Sequence, residues 1–269
     1  MINPEKVTVK IPGLSKTYTF LHISDAHLAY AYPEESEYDR KMAADQAIRW
    51  AEALIPPNQA FEDMVQYAKS IHADAMMVAG DCADYISDGT VRYIKERAAA
   101  AEIELLYVYG NHEGCRYDRK TDQRSYYPMY APLMHGSPDF WVRDFGEFLV
   151  VGVDDSDKKI TEAQIEKLKE QIARNIPIIL LMHIPLRTEA NEDAIMKKWG
   201  TTFMLGTDND TELTKEFCSI VKSEESHIVS VVAGHIHFAH EGEFAPGRMQ
   251  YVSAPAYNHF ARIIEVSQG

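Results

Sequence analysis

Eight side chains suited to metals and phosphates fall in five short clusters: Asp25 with His27, Asp81, Asn111 with His112, His183, and His235 with His237. Carboxylate, amide and imidazole donors in one set suit Mn, Fe or Zn better than Ca or an all-oxygen Mg site. With no thiolate among the ligands and room left for water, such a set reads as a catalytic centre and not a closed structural one. Asp25, His27, Asp81 and His237 form one group of donors. Asn111, His183 and His235 form a second, with Asp81 shared. A carboxylate that bridges two cations also lessens their mutual repulsion. Cation pairs about 3.5–4 Å apart activate water and clamp substrate oxygens, which is chemistry suited to cutting phosphate esters.

Taken one at a time, the clusters say little. Asp25-x-His27 is more commonly a surface Asp beside a core His, and Gly80-Asp81 is ordinary turn chemistry. Asn111 fits a turn, and His183 fits a hydrogen-bonded core histidine. His235-Ile236-His237 is the strongest single signal, because it sets two imidazoles close together where a loop leaves a strand. The weight lies in where all five fall. Each follows a short apolar run of the kind that forms a strand buried on both faces: Tyr18–Ile23, Ala75–Val78, Ile103–Val108, Ile176–Met182 and Ile228–Val232. In an open α/β sheet the carboxyl ends of the strands line one edge, where ligands bind. If these strands are parallel neighbours, residues far apart in sequence meet there.

The remaining elements follow the same alternation. Phe148–Val153 reads as a sixth buried strand, and His240–Phe244, Arg248–Val252 and Phe260–Val266 read as strands of a hairpin-rich C-terminal section. Amphipathic helices are predicted over Gln59–Ser70, Thr90–Ala101 and Thr161–Ala173, the last opening on a Thr161-x-x-Gln164 capping pattern. Alternating strands and helices imply an α/β fold with right-handed crossovers and a mixed sheet. Three segments break the pattern, Ala29–Pro57, Glu113–Asp139 and Arg187–Ser226. They read as insertions near 29–57, 113–139 and 187–226 in one domain spanning 1–269, serving either as binding loops or as plain surface.

Composition narrows the class. The chain has 269 residues, 46% hydrophobic and 25% charged, enough to bury a sizeable core. Its net charge of −14 argues against nucleic acid or an anionic membrane as the main partner. An anionic substrate stays open, because bound dications reverse the local field. Met1–Lys10 carries Glu5, Lys6 and Lys10 and no apolar core of signal-peptide length, and no apolar run approaches a membrane span. Cys82, Cys115 and Cys218 are too few for a disulfide framework, so a reduced cytoplasmic setting is expected.

The ordered series SDAH, GDCAD, GNHE, MHIP and GHIH, from Phe20 to His237, resembles the calcineurin-like metallophosphoesterase family. The VGVDDS run and the Ser253–Pro255 turn give weaker support. The resemblance implies a four-layer α/β/β/α sandwich with two mixed β-sheets and a centre of two divalent or mixed-valence metal ions. It places Asp25, His27 and His237 on one metal, Asp81 between the two, and Asn111, His183 and His235 on the other, with His112 as the catalytic histidine. A metal-bridging hydroxide would attack phosphorus, and His112 would stabilise the transition state or protonate the leaving oxygen. The expected substrate is a small phosphomono- or phosphodiester such as a nucleotide. The alternatives are a nuclease, disfavoured by the lack of a basic stripe, and a non-catalytic protein-binding scaffold, which needs no complete ligand set.

Secondary candidates carry two readings each. Asp84 either orients a ligand or caps a helix or turn. Cys115 is more simply inert than a ligand, and His22, His135, His240 and His259 are more simply structural than substrate-binding. Arg116, Tyr117, Arg119, Arg124, Tyr126 and Tyr127 read first as an exposed polar loop, and otherwise as a wall that reads the leaving group.

Overall fold

The computed structural model describes residues 2–50, 55–115 and 122–269. The chain opens with β1 (Asn3–Ile11) and β2 (Tyr18–Ile23), followed by α1 (Glu37–Arg49) and α2 (Pro57–Ser70). It continues through β3 (Ala75–Ala79), α3 (Asp88–Ala101), β4 (Leu105–Val108) and the one-turn α4 (Tyr127–Tyr130). Then come β5 (Gly136–Ser137), β6 (Phe140–Asp144), β7 (Leu149–Val153), α5 (Glu162–Ile172) and β8 (Ile178–Leu181). The last elements are α6 (Glu189–Trp199), α7 (Glu212–Lys222), β9 (Ile228–Ala233), β10 (His240–Ala245), β11 (Arg248–Val252) and β12 (Phe260–Gln268).

The strands form two mixed sheets. One runs β1-β12-β2-β3-β4 and the other β10-β11-β9-β8-β7-β6-β5. In the first, β2, β3 and β4 are parallel and β12 lies antiparallel to β2; in the second, β7, β8, β9 and β11 are parallel. The five strands that precede the ligand-type clusters are therefore divided, three in one sheet and two in the other. They do not all neighbour one another. The expected C-terminal hairpin exists as β10–β11, but the next strand, β12, crosses to the other sheet.

Period-two alternation separates two cores. Val150, Ile179 and Leu181 belong to the cluster between the sheets, whereas Leu149, Val151, Ile178 and Leu180 pack outward with Ile165, Leu168, Phe217 and Val221 of α5 and α7. On the other side, Phe61, Val65 and Ala68 of α2 and Ile94 and Ala98 of α3 cover the first sheet. The layers run helix, sheet, sheet, helix. Between the sheets, Tyr18 and Phe20 meet Phe145 and Phe148 edge to face, with Tyr18–Phe148 centroids 5.1 Å apart and Phe20–Phe145 centroids 5.5 Å apart.

Trp141 makes a second tie. Its indole Nε1 donates to the Tyr107 carbonyl of the opposite sheet at 2.8 Å, which fixes the ring. A Cβ on Gly152 would lie 2.1 Å from that ring. Gly152→Ala must therefore break the tie or push the sheets apart, an overpacking cost of about 1–3 kcal/mol. For a chain of this size the melting temperature should fall by roughly 2–10 °C. An unchanged melting temperature would show that the indole moves freely.

Capping chemistry sets the helix starts. Thr161 and Gln164 form the expected reciprocal capping box on α5. α6 opens on the same device from Thr188 and Asn191, and Pro57 occupies the first turn of α2. Among the described residues no helix is long and apolar enough to cross a membrane.

Candidate metal centre

All five clusters meet where the carboxyl ends of β2, β3 and β4 face those of β8 and β9. Loop backbone extends the strand ladders past their ends. Asp25 N donates to Gly80 O at 3.1 Å, His27 N to Asp81 O at 2.9 Å, and Gly234 N to His183 O at 2.9 Å. A side chain joins the sheets: Asp25 Oδ2 accepts from His235 N at 3.0 Å and from the Ser24 hydroxyl.

Backbone shape is part of the site. Asp25, His27, Asp81, His235 and His237 all hold positive φ, from 48° to 71°. For residues with a Cβ the left-handed region is uncommon, and holding one there costs on the order of 1–3 kcal/mol. The flanking side chains of Asp25-Ala26-His27 and His235-Ile236-His237 reach the site, while Ala26 and Ile236 pack into the two cores. Gly110 is needed for close approach, since a Cβ there would lie 2.3 Å from Asp81 N.

Two groups of ligand-type atoms result. Asp25, His27 and His237 each offer an atom within 4.8 Å of the others, and so do Asp81, His183 and His235. His183 Nε2 lies 3.1 Å from Asn111 Oδ1, which brings the amide to the second group. Asp81 also groups with His27 and His112, so it stands between the two sets. All eight clustered residues thus converge, from two sheets and not from one.

Second-side contacts fix the imidazoles. His183 Nδ1 donates to Ala79 O at 2.8 Å, which leaves Nε2 facing Asp81 Oδ2 at 3.2 Å. His27 Nδ1 pairs with Asp84 Oδ1 at 3.0 Å, which leaves Nε2 facing His237 Nε2 at 3.2 Å. His112 Nδ1 meets the same Asp84 oxygen at 2.6 Å. Asp84 is therefore an orienting group; the cap of α3 is Ser87.

Charge balance follows from burial and contact. Burial alone would raise Asp25, but His237 and His183 hold it down at about 2. Burial opposes charge on His183, yet Asp81 outweighs it and lifts the imidazole to about 10. His235 goes the other way, to about 3, through burial and then the charge of His183. Burial also opposes charge on His112, but Asp81 and Asp84 raise it to about 9.

The donor set fits a pair of cations. Asp25 Oδ1 is buried 3.2 Å from His237 Nε2 and has no hydrogen bond. Nε2 of His27 faces Nε2 of His237 at 3.2 Å, and Nε2 of His183 faces Nδ1 of His235 at 3.1 Å. A buried acceptor without a donor costs about 1–3 kcal/mol, and convergent acceptors are relieved only by protons or cations.

Some contributors had no role in the sequence reading. Glu113 accepts from the backbone N–H groups of Asp81, Cys82, Ala83 and Gly110 at 2.7–3.1 Å and from Tyr107 Oη at 2.5 Å, which locks the GDCAD loop to the GNHE loop. Asp155 accepts from His183 N and Ile184 N, both at 2.9 Å. Their positions in GNHE and VGVDDS were visible; what they hold depends on loops from elsewhere in the chain.

The secondary histidines lie apart. His22 is buried on β2, His135 pairs with Glu104 at 3.3 Å, His240 meets Ala190 O at 3.1 Å, and His259 pairs with Asp63 at 3.0 Å. Cys115 is half-buried, outside the three ligand groups, and burial raises its thiol pKa. Arg124 pairs with Asp157 at 3.1 Å and Tyr127 donates to Asp154, so both are engaged by the segment after β7. Tyr126 is half-buried against the inter-sheet core. Arg116, Tyr117 and Arg119 lie outside the described residues.

Comparison with known proteins adds the following. The model of a family described as calcineurin-like phosphoesterase matches residues 18–239. No curated protein matches the chain. A dimetal phosphatase from Danio rerio superposes with a TM-score of 0.55 at 13% identity, over 90% of this chain and 88% of that one. A purple acid phosphatase from yellow lupin seeds (Lupinus luteus) gives 0.55 at 14% identity, over 93% of this chain and 46% of that one. At such identities the likeness is one of fold.

Proposed function

The chain belongs to the calcineurin-like phosphoesterases and is a metal-dependent phosphoester hydrolase, and from that premise we propose that it hydrolyses small phosphomono- or phosphodiesters at a centre of two metal ions. Asp25, His27 and His237 hold one ion, Asn111, His183 and His235 the other, and Asp81 is shared. The carrying observation is the shared position of Asp81 between two convergent sets of buried donors. Mn, Fe or Zn suits these nitrogen and oxygen ligands.

When bound, the ions supply a water of lowered pKa and neutralise charge that develops on the phosphoryl oxygens. The chain does the rest. Asp84 holds His27 as a ligand through Nδ1 and aims His112 through its Nδ1. That leaves His112 Nε2 as the atom that delivers a proton to the departing oxygen. Glu113 holds the left-handed turn at Asp81, and Asp155 holds the backbone at His183 and Ile184. A scaffold without turnover would need neither His112 nor this orienting carboxylate.

The test is metal loading followed by assay. Stripped protein should be inactive, and adding Mn, Fe or Zn should restore hydrolysis within a panel of monoesters and diesters, cyclic nucleotides included. Loading should also release protons. The metal-free site holds a proton on His183 up to about pH 10, and a metal must displace it. Apparent affinity should therefore rise with pH, by up to about tenfold per unit for each proton displaced. Protein carrying two ions that cleaves nothing in the panel would overturn the reading.

A further inference from the structure

Two helices from different segments end beside the same histidine. α1 is followed by Trp50, whose ring centroid lies 5.6 Å from His237, and α6 closes on Trp199, 5.8 Å from His237. Trp50 also stacks on His27 at 3.9 Å and 17° and meets His112 at 5.9 Å. Phe203 stands 4.8 Å from His235 and 5.5 Å from Trp199. Tyr257 lies 5.8 Å from His27 and 5.6 Å from Trp50. Four rings from three stretches of chain thus border the clustered histidines.

Shielding alone does not account for them. Trp199 is 38% exposed, and Trp50 and Phe203 are only partly buried, so flat aromatic surface stays open beside the centre. Trp50 Nε1 is itself buried and has no hydrogen-bond partner among the described residues. Rings bordering a site for phosphate offer faces to a planar group carried on the same molecule.

We propose that Trp50, Trp199, Phe203 and Tyr257 form a collar that selects phosphate esters whose alcohol portion bears a planar aromatic ring, nucleobases above all. The proposal rests on the phosphoesterase reading and names the substrate class of that site. The phosphate goes to the metal-ligand side and the base stacks against the collar. Stacking tolerates any base, so purine and pyrimidine nucleotides should both be taken.

The test compares esters whose leaving atom is the same ribose 5′-oxygen. AMP and UMP are set against ribose 5-phosphate, and their methyl diesters against its methyl diester, all with metal-loaded protein. The nucleotides should exceed the base-free ester in kcat/KM by about ten- to a hundredfold. Trp199→Ala and Phe203→Ala should each bring that ratio toward one, and Trp199→Phe should keep most of it. Met196→Ala, on the exposed flank of α6, should leave the ratio as it is. AMP should also quench tryptophan fluorescence of metal-free protein where ribose 5-phosphate does not, a reading independent of turnover. A ratio near one in the unaltered protein, or one that the collar substitutions do not move, overturns the collar and leaves the phosphoesterase intact. Absence of any ester hydrolysis sinks both.

Discussion

His112→Ala should lower kcat by about 10²–10⁴-fold while leaving metal content unchanged. The side chain sits where a general acid would have to sit. Its Nδ1 is held by Asp84 Oδ1 at 2.6 Å, and its Nε2 lies 4.0 Å from Asp81 Oδ2, the carboxylate between the two ligand sets. In the metal-free site Asp81 and Asp84 overcome burial and raise its pKa to about 9. The substitution is clean, because the backbone N–H of residue 112 donates to Asp81 Oδ1 at 2.7 Å and an alanine keeps that bond. The loss should also depend on the leaving group. Alkyl esters, whose alkoxide needs a proton, should show all of it; p-nitrophenyl esters, which depart without one, should show much less. Full turnover of an alkyl ester by a metal-replete variant would remove His112 from the chemistry.

Asp84 ties that proton donor to the metal side. One carboxylate oxygen serves both His27 and His112, whose hydrogen bonds outweigh burial and hold it at about 2. A single anionic residue thus sets the ring orientation of a ligand and of the acid. In the sequence Asp84 looked equally suited to a cap, because nothing local distinguishes an aspartate aimed at its own helix from one aimed at a distant imidazole.

The parts of the fold legible in the sequence were those with local causes. β2, β3, β8 and β9 announced themselves as short β-branched or apolar runs, and α5 through Thr161 and Gln164. β1 was missed although Val7, Val9 and Ile11 alternate, since its partner β12 lies at the far end of the chain. α6 was missed because Ala190, Ile195 and Trp199 are thinly spread among charged residues; α7, with Phe217, Cys218 and Val221 on one face, could have been found. The site residues were legible because each follows a strand. Their arrangement was not. Division of the five strands between two sheets has no local signal: β12 pairs with β2 and β11 with β9, and neither carries a ligand. The positive φ of Asp25 and His237 leaves no trace in composition, and Trp50 has no neighbour in sequence that points to a metal site.

Replacing Asp81 with Asn should do more damage than removing His112, because the consequence falls on both ions, weakening the Asp25 set and stripping the other of its only anion. The amide keeps the shape of the carboxylate and removes its charge. Asp81 lies within reach of His183 and His235 on one side and of His27 and His112 on the other, and His183, His112 and His27 overcome burial to hold it well below the usual carboxylate range. With Asn there, two neighbouring cations would lose the one anionic group between them, and the second set would keep only neutral donors: Asn111, His183 and His235. Asp25→Asn differs, since Asp25 groups with His27 and His237 alone. Elemental analysis should therefore separate the two carboxylates. Asp25→Asn should retain about one tightly held equivalent of metal and Asp81→Asn at most one that is weakly held, with turnover in the latter below that of His112→Ala. Two tightly held ions in Asp81→Asn would mean that the carboxylate is not shared, and the dinuclear assignment would fail with it.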